Sequence, residues 1–388
     1  MRTTLFALLT LAATPAIGQT CGGPVDSFRQ GALEEAIGMG LDPTATRDFL
    51  MTANIDPAVL NADRSQGVFQ LDFVSFSQRL ISANRLQNAR SFSDRYDAVF
   101  DRIETTYGVP RGILLAFWAF ETDFGQVQGT FNTRDALFTL AHDCRRPDLF
   151  RPELFAAIEL YARGDFPLDT TGAWAGEIGQ VQMLPRDIID NGVDGDGDGQ
   201  VTLKTSAEDA LLSGANLLVD LGWTPDQPVL QEISVPASLD WTQTGLDKQK
   251  TVAEWQALGV NIRNGAAPDP GLAASVLLPM GRGGPAFFAY PNFPVLFEWN
   301  QSLTYVLTTA YFATRIEGAP VYDTGNPETG LSGEQMVQLQ ERLQALGYDV
   351  GGADGILGEK TREAVQQEQA RRGLPADAWP TAVLLEAL

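Results

Sequence analysis

The stretch Gly112-Ile-Leu-Leu-Ala-Phe-Trp-Ala-Phe120 runs directly into Glu121-Thr-Asp-Phe-Gly125. An unbroken apolar run of this kind reads as a core helix, apolar on every side because it is packed on every side. Glu121 stands where that helix ends. A carboxyl group partly removed from water loses stability in its charged form, so its pKa rises. It then keeps a proton near neutral pH and can act as a general acid. Position alone leaves two readings open: an acid made by desolvation, or a helix-terminal Glu that turns outward into solvent.

Around this run the chain reads as mainly α. Residues 28–160 are mostly helical, with apolar residues three and four apart over Phe28 to Met39 and over Phe92 to Tyr107. Gly108-Val-Pro110 breaks the pattern, and Pro110 suits the first turn of the Glu121 helix. Gly164 to Gly199 is rich in loops, and Ser206 to Leu221 is helical. Residues 226–290 carry many Pro and Gly with short Val, Leu and Trp runs, which suggests a small mixed or β-containing insertion. Trp299 to Ile316 reads as one last strong helix. Pro, Gly and Asn punctuate a linker over 319–330. A compact three-helix module follows over 331–388: Leu339, Leu343 and Leu346 end at Gly347, then come Thr361 to Arg372 and Ala382 to Leu388.

The 388 residues are enough for two or three domains. With 27 Lys and Arg against 49 Asp and Glu, the net charge of -22 excludes a nucleic-acid binder, which needs a basic face. A single histidine, His142, excludes a His-based triad or a multi-His metal site. Arg2, the short apolar segment Leu5 to Ala13 and the small residues Ala16-Ile-Gly18 read as an export signal over residues 1–18. No later segment is long and apolar enough to span a membrane. Export would leave Cys21 and Cys144 in an oxidising compartment, where an even pair is expected to form one disulfide. The loop it closes is long, so the chain-entropy model gives about 4–5 kcal/mol of stabilisation.

Three further motifs carry chemistry. Trp174-Ala-Gly-Glu-Ile-Gly179-Gln-Val-Gln182-Met-Leu-Pro185 sets Gln182 three residues after a glycine at a tight bend. That places an amide donor and acceptor near backbone, as binding of a sugar N-acetyl group or hydroxyl requires. Asp194-Gly-Asp196-Gly-Asp198-Gly199-Gln200-Val201 has acids at positions one, three and five, Gly at six and an apolar residue at eight. This is the first half of an EF-hand loop, whose alternate carboxylates converge on one hard cation. Position twelve is Thr205 where Glu is expected, so Asp209 or Glu208 would have to close the site. The set Asp194, Asp196, Asp198, Gln200 and Asp209 therefore points to a weak structural Ca²⁺ site, with no organic cofactor. Finally, Asn292-Phe293 and Trp299-Asn300 through Tyr305 mix rings with directional polar groups, as a carbohydrate cleft does.

In this order the motifs resemble the type B family of lytic murein transglycosylases, with a C-terminal peptidoglycan-binding module. Phe120-Glu121-Thr-Asp-Phe-Gly125 is similar to the family's catalytic helix end, and Trp174-Ala-Gly176 with Gly179-Gln-Val-Gln182 to its Gly-x-x-Gln segment. The Asp194 loop resembles its EF-hand-like insertion, and Asn292, Asn300 and Tyr305 fall in its late cleft-lining region. Asp63-Arg64-Ser-Gln66, Phe69, Phe73 and Arg79 resemble its N-terminal part. The motifs after the linker, Leu339 to Leu343, Leu346-Gly347-Tyr348 and Asp354 to Gly358, resemble the wall-binding domain.

The resemblance implies a lysozyme-like α+β catalytic domain over 19–318, a periplasmic location, peptidoglycan glycan strands as partner, and action as a monomer. It implies cleavage of the β-1,4 bond between N-acetylmuramic acid and N-acetylglucosamine without water. Glu121 would serve first as acid and then as base, while Gln182, Asn300, Tyr305, Asn292 and Trp174 bind substrate. Two departures stand out. Ala173 occupies a position where the family carries Ser, leaving Thr170 or Thr171 to supply a hydroxyl, and Glu368 replaces an aromatic before Gln369. A hydrolase would need a second acid across the cleft; Glu177 is the candidate for it, with a surface residue as the favoured reading. A hydrolytic muramidase of the same fold and a non-catalytic wall-binding protein are the alternatives.

Overall fold

The computed structural model describes residues 21–64 and 71–388. The expected export signal over residues 1–18 lies outside the described residues, as do Gln66 and Phe69. The lead-in consists of α1 (Val25–Gly38), α2 (Pro43–Thr52), α3 (Pro57–Arg64) and α4 (Phe73–Leu80). Asp42 and Asp72 cap α2 and α4, each accepting the backbone N–H three residues on, which satisfies a donor the helix itself cannot.

Two helices, α5 (Ala83–Arg95) and α6 (Asp97–Tyr107), stand where one was expected over Phe92–Tyr107. The chain turns at Tyr96 (φ -108, ψ 26). That turn lets both Phe92 and Tyr96 pack on Trp118, at centroid distances of 4.9 and 5.6 Å. Next comes α7 (Arg111–Thr122), preceded by Pro110 as N-cap rather than started by it. Every side from Gly112 to Ala119 is buried. Helices α5 and α6 pack on it.

The next segment contains β1 (Phe131–Asn132), α8 (Thr133–His142), α9 (Pro147–Arg163), β2 (Thr171–Gly172), α10 (Pro185–Asn191) and α11 (Ala207–Asp220). Strands β1 and β2 pair antiparallel, Phe131 opposite Gly172. The disulfide Cys21–Cys144 is present. It holds the chain ahead of α1 against the end of α8, where Gly22 N also donates to His142 O at 2.7 Å. His142 thus belongs to this seam.

Residues 226–290 hold β3 (Leu230–Ser234), β4 (Gln249–Thr251), α12 (Val252–Ala257), β5 (Asn261–Ile262), β6 (Ala273–Leu277) and β7 (Ala286–Ala289). The strands form one antiparallel sheet in the order β4-β6-β7-β3-β5. It has its own small core around Ile233, Trp255, Val276 and Phe288. The buried Trp255 indole donates to Ala274 O at 2.8 Å, satisfying the one polar atom of that ring.

The single helix expected over Trp299–Ile316 is two, α13 (Val295–Trp299) and α14 (Leu303–Ile316). Ser302 caps α14 through Tyr305 N, and Asn300 Oδ1 accepts from Ser302 N at 3.0 Å. These short polar side chains offer the backbone alternatives to continuing the helix. Helix α14 packs along α7, stacking Phe312 on Phe120 at 5.0 Å.

The stretch 319–330 has no regular structure, yet it is held. Tyr322 is buried among Phe73, Phe287 and Tyr311, and its hydroxyl meets Ser77 Oγ at 2.8 Å. The C-terminal module comprises α15 (Gly333–Ala345), α16 (Glu359–Arg371) and α17 (Ala382–Ala387) around Leu339, Leu343, Val365 and Leu384. Its α16 lies on the sheet insertion: Arg362 donates to Pro279 O at 2.8 Å, and Gln366 to Trp241 O and Thr244 O at 3.0 and 2.8 Å. Glu368 is buried and holds Tyr348, Arg371 and Arg372 together. Those three donors keep its carboxyl down at about 2. It therefore braces this module from inside, which an aromatic at that position could not do by charge.

Candidate active site

Glu121 sits in the last turn of α7, half-buried at the wall of a cleft of about 320 Å³. The helix stops just past it because Asp123 and Phe124 both take left-handed conformations (φ 50 and 61). Arg85 Nε binds Asp123 Oδ1 at 3.0 Å, drawing that second acid of the motif into an ion pair of its own. Thr122 Oγ1 donates to Gln180 O at 2.6 Å, and the Trp118 indole donates to Gln180 Oε1 at 3.0 Å. Gln180, a residue the motif reading passed over, thus ties the end of α7 to the loop opposite. A Cβ on Gly125 would come within 2.5 Å of the same Gln180 amide, so glycine permits this approach.

Two donors reach one oxygen of Glu121. The Tyr305 hydroxyl donates to Oε1 at 2.5 Å, and the Trp299 indole donates to the same atom at 3.3 Å. The chain break at Asn300–Ser302 makes this possible: it puts Trp299 at the end of α13 and Tyr305 in the first turn of α14. The Trp299 ring stacks on Phe117 at 4.3 Å, which fixes its edge toward the carboxyl. Burial pushes Glu121 up to about 7 against the pull of the Tyr305 hydrogen bond; the charge of Glu177 adds to the rise, and the Trp299 bond opposes it. Burial and the Glu121 charge hold the Tyr305 phenol well above its ordinary value. It therefore stays protonated and remains a donor. The outward-turned reading of Glu121 is excluded, and the protonated acid is what the site favours.

The loop 173–184 forms the facing wall. Ala173, Glu177, Gln182, Met183 and Leu184 line the cleft from it, with Asp187, Leu217, Leu221, Glu298, Trp299 and Asn300 completing the rim. Gln182 is in the left-handed region (φ 54), an uncommon and strained backbone for a side chain of its size. Its amide nitrogen is committed to Gly179 O at 2.7 Å.

The sequence expectations divide accordingly. Glu121, Gln182 and Asn300 meet at the cleft, with Tyr305 reaching Glu121 from behind. Asn292 does not join them. It is fully buried, where Oδ1 accepts from Thr224 N at 2.9 Å and Nδ2 donates to Thr224 O and Gln227 O. With its amide fully used, it brackets the start of the sheet insertion. Trp174 does not line the cleft; it packs against the core with Arg146 over its ring at 5.9 Å. Thr170 and Thr171 line a separate groove with Lys204, whose Nζ donates to Thr171 O and Oγ1, so neither supplies a hydroxyl beside Ala173. Glu177, expected at the surface, is on the cleft wall, and Trp299 is a contact of the acid itself. No spacing rule signals either, because a break in a helix and a turn in a loop bring them there.

In the acidic loop, carboxylate oxygens of Asp194, Asp196 and Asp209 lie within 4.8 Å of one another. Asp209, rather than Glu208, closes the cluster from the first turn of α11. It is fully buried and accepts from Gly195, Asp196 and Thr202 backbone N–H groups. Asp194 accepts from Gly197, Asp198 and Gly199. Asp198 and Gln200 stay outside the cluster, exposed, with Asp198 Oδ1 taken by Gln200 N at 2.9 Å. Three converging hard oxygens are a donor set that fits Ca²⁺ better than a softer metal.

The chain is similar to known proteins in sequence and in fold. The sequence profile described as the transglycosylase SLT domain matches residues 25–314, and a peptidoglycan binding domain profile matches residues 332–388. Membrane-bound lytic murein transglycosylase B of Escherichia coli K12 is 27% identical over 238 residues, 61% of this chain and 64% of that protein. The match thus spans just under two thirds of that relative's length. SltB3 from Pseudomonas aeruginosa, solved in complex with NAG-anhNAM-pentapeptide, superposes with a TM-score of 0.86 at 33% identity, over 94% of this chain and 99% of that one. Escherichia coli Slt35, solved in complex with calcium, superposes with a TM-score of 0.65 at 25% identity, over 77% and 96%.

Proposed function

Since the chain belongs to the transglycosylase SLT domain family, we propose that it cleaves the β-1,4 bond between N-acetylmuramic acid and N-acetylglucosamine in peptidoglycan without water, leaving 1,6-anhydro ends. One observation carries this reading: Glu121, held at about 7, with two donors on a single oxygen inside the cleft. At neutral pH such a carboxyl group is present in both forms, which a residue acting as acid and then base requires. As an acid, Glu121 protonates the leaving glycosidic oxygen. As a carboxylate, steadied by Tyr305 and Trp299, it takes the proton of the muramyl 6-hydroxyl as that oxygen closes on its own anomeric carbon. Gln182 and Asn300 bind the sugar from the rim. The relatives support the substrate class, since SltB3 is solved in complex with NAG-anhNAM-pentapeptide. The test is digestion of purified peptidoglycan by wild type and Glu121→Gln, with fragments weighed by mass spectrometry. Anhydro fragments from wild type and none from the variant are expected; an active Glu121→Gln would overturn the assignment.

A hydrolytic muramidase on the same fold is the second reading, and Glu177 in the same cleft is what favours it. Its fragments would each be heavier by one water. The export signal and disulfide support a periplasmic location, which fractionation of cells and N-terminal sequencing of the mature protein would test. Asp194, Asp196 and Asp209 would hold a structural Ca²⁺ that draws the acidic loop together against α11 and so steadies the start of the helix lining the cleft at Leu217 and Leu221. This is supported by the convergence of their oxygens.

A further inference from the structure

The cleft beside Glu121 holds more acid than the chemistry of one residue uses. Glu177, Asp187 and Glu298 line it as well, and neither lysine nor arginine is among its lining residues. Of the acids other than Glu121, Glu177 is the one on the wall-forming loop, and its place is built. Ala173 N donates to Glu177 O at 3.0 Å, while Ile178 and Met183 exchange backbone hydrogen bonds at 2.8 and 3.1 Å just beyond it. A Cβ on Gly172 would lie 2.1 Å from Glu177 O, and one on Gly176 would lie 2.3 Å from Leu137. Two glycines thus let the loop close around this residue. Its Oε2 is buried with no hydrogen-bond partner, a state that calls for a reason.

We propose that Glu177 is a positioning residue for the proton of Glu121: its carboxyl group, set in the same cleft, helps Glu121 keep the proton it gives to the glycosidic oxygen. Two carboxyl groups in one poorly hydrated space cannot both ionise cheaply, so the pair retains a proton into the neutral range and titrates as a pair. The inference rests on the assignment of Glu121 as the acid. Other groups do not cancel the effect. Tyr305 from α14 and Trp299 from α13 donate to Glu121 without charge. Asp187 on α10 and Glu298 on α13 add negative charge. Arg146, the cation that acts on Glu177, is ion-paired with Asp63. Burial raises the Glu177 carboxyl too, against the backbone N–H groups of Glu177 and Ala175 and the charge of Arg146, and its charge adds to the rise at Glu121.

The test is Glu177→Gln in the full-length protein, which keeps the shape and removes the charge. The alkaline limb of the kcat/KM profile on peptidoglycan should move to lower pH by about half a unit or more. Glu177→Asp, which retains the charge, should leave the limb near its wild-type position. An unmoved limb in Glu177→Gln overturns the proposal, whether overall activity falls or not. A second measurement needs no variant that could misfold. In wild-type protein with carbon-labelled glutamate, assigned by the resonance missing in Glu121→Gln, the Glu121 carboxyl should titrate in two coupled steps; one simple step contradicts coupling. This titration uses no substrate. Coupling without peptidoglycan products would sink the enzymatic reading alone, and products without coupling would sink only this inference.

Discussion

The hydroxyl of Tyr305 donates to Oε1 of Glu121 at 2.5 Å, joining residues 184 apart in sequence. That bond stabilises the carboxylate and opposes the burial that would otherwise keep the group neutral. In the proposed mechanism this opposition balances the acid and base roles. A carboxyl only desolvated would give up its proton too reluctantly; one only hydrogen-bonded would not hold it.

Tyr305→Phe tests the balance. Losing the donor raises Glu121 further, so the alkaline limb of the pH–rate profile should move upward. A hydrogen bond to a charged group is worth about 1.5–3 kcal/mol. If it is made to the charge that develops in the transition state, kcat should fall roughly 10- to 100-fold. A limb that stays put would deny Tyr305 its part in setting the acid.

Glu121→Gln should stabilise the fold while ending activity. Burial raises Glu121 from 4.5 unfolded to about 7 folded. The folded state therefore binds more protons across that window, and stability falls as pH rises from about 4.5 through about 7. At higher pH the ionised buried carboxyl costs up to about 3 kcal/mol, at about 1.4 kcal/mol per unit. Melting curves at acid and alkaline pH should show the variant's advantage growing with pH. An advantage that is the same at both ends would mean the group is not desolvated.

In the acidic loop, Asp196→Ala and Asp209→Ala should behave differently. Asp196 is exposed, so its loss should cost little without metal and abolish the rise in Tm that Ca²⁺ produces. Asp209 is buried under backbone donors, so its loss should cost about 1–3 kcal/mol of stability even in chelator, seen as a lower Tm. Identical melting of wild type in Ca²⁺ and in chelator would remove the cation from the account.

Cys21–Cys144 closes a loop across a sequence separation of 123. Replacing both cysteines with alanine should cost about 4–5 kcal/mol on the chain-entropy estimate, seen as a lower midpoint in denaturant with activity kept in the folded protein. An unchanged midpoint would mean that the seam at Gly22 and His142 holds without the bond.

The main helices and the acid were legible in sequence because each depends on local chemistry. The apolar run before Glu121 can only be buried, and the Asp194 spacing folds one loop on itself. What was not legible depends on where segments meet. The breaks at Tyr96 and Asn300 answer to packing on Trp118 and to Ser302 capping α14, and neither is marked by a proline or glycine in the sequence. The same blindness hid Trp299 as a partner of the acid and put Glu177 at the surface. Asn292 failed for the opposite reason: its residue type suited a sugar, but its amide is spent on the backbone of Thr224 and Gln227.

The central claim is that the anomeric carbon is captured by the sugar's own 6-hydroxyl and not by water. Digesting peptidoglycan in water enriched in heavy oxygen tests it most directly. Fragments ending in an anhydro ring, with no heavy oxygen at the cleaved end, are the predicted result. Reducing ends carrying heavy oxygen in proportion to the solvent would contradict it.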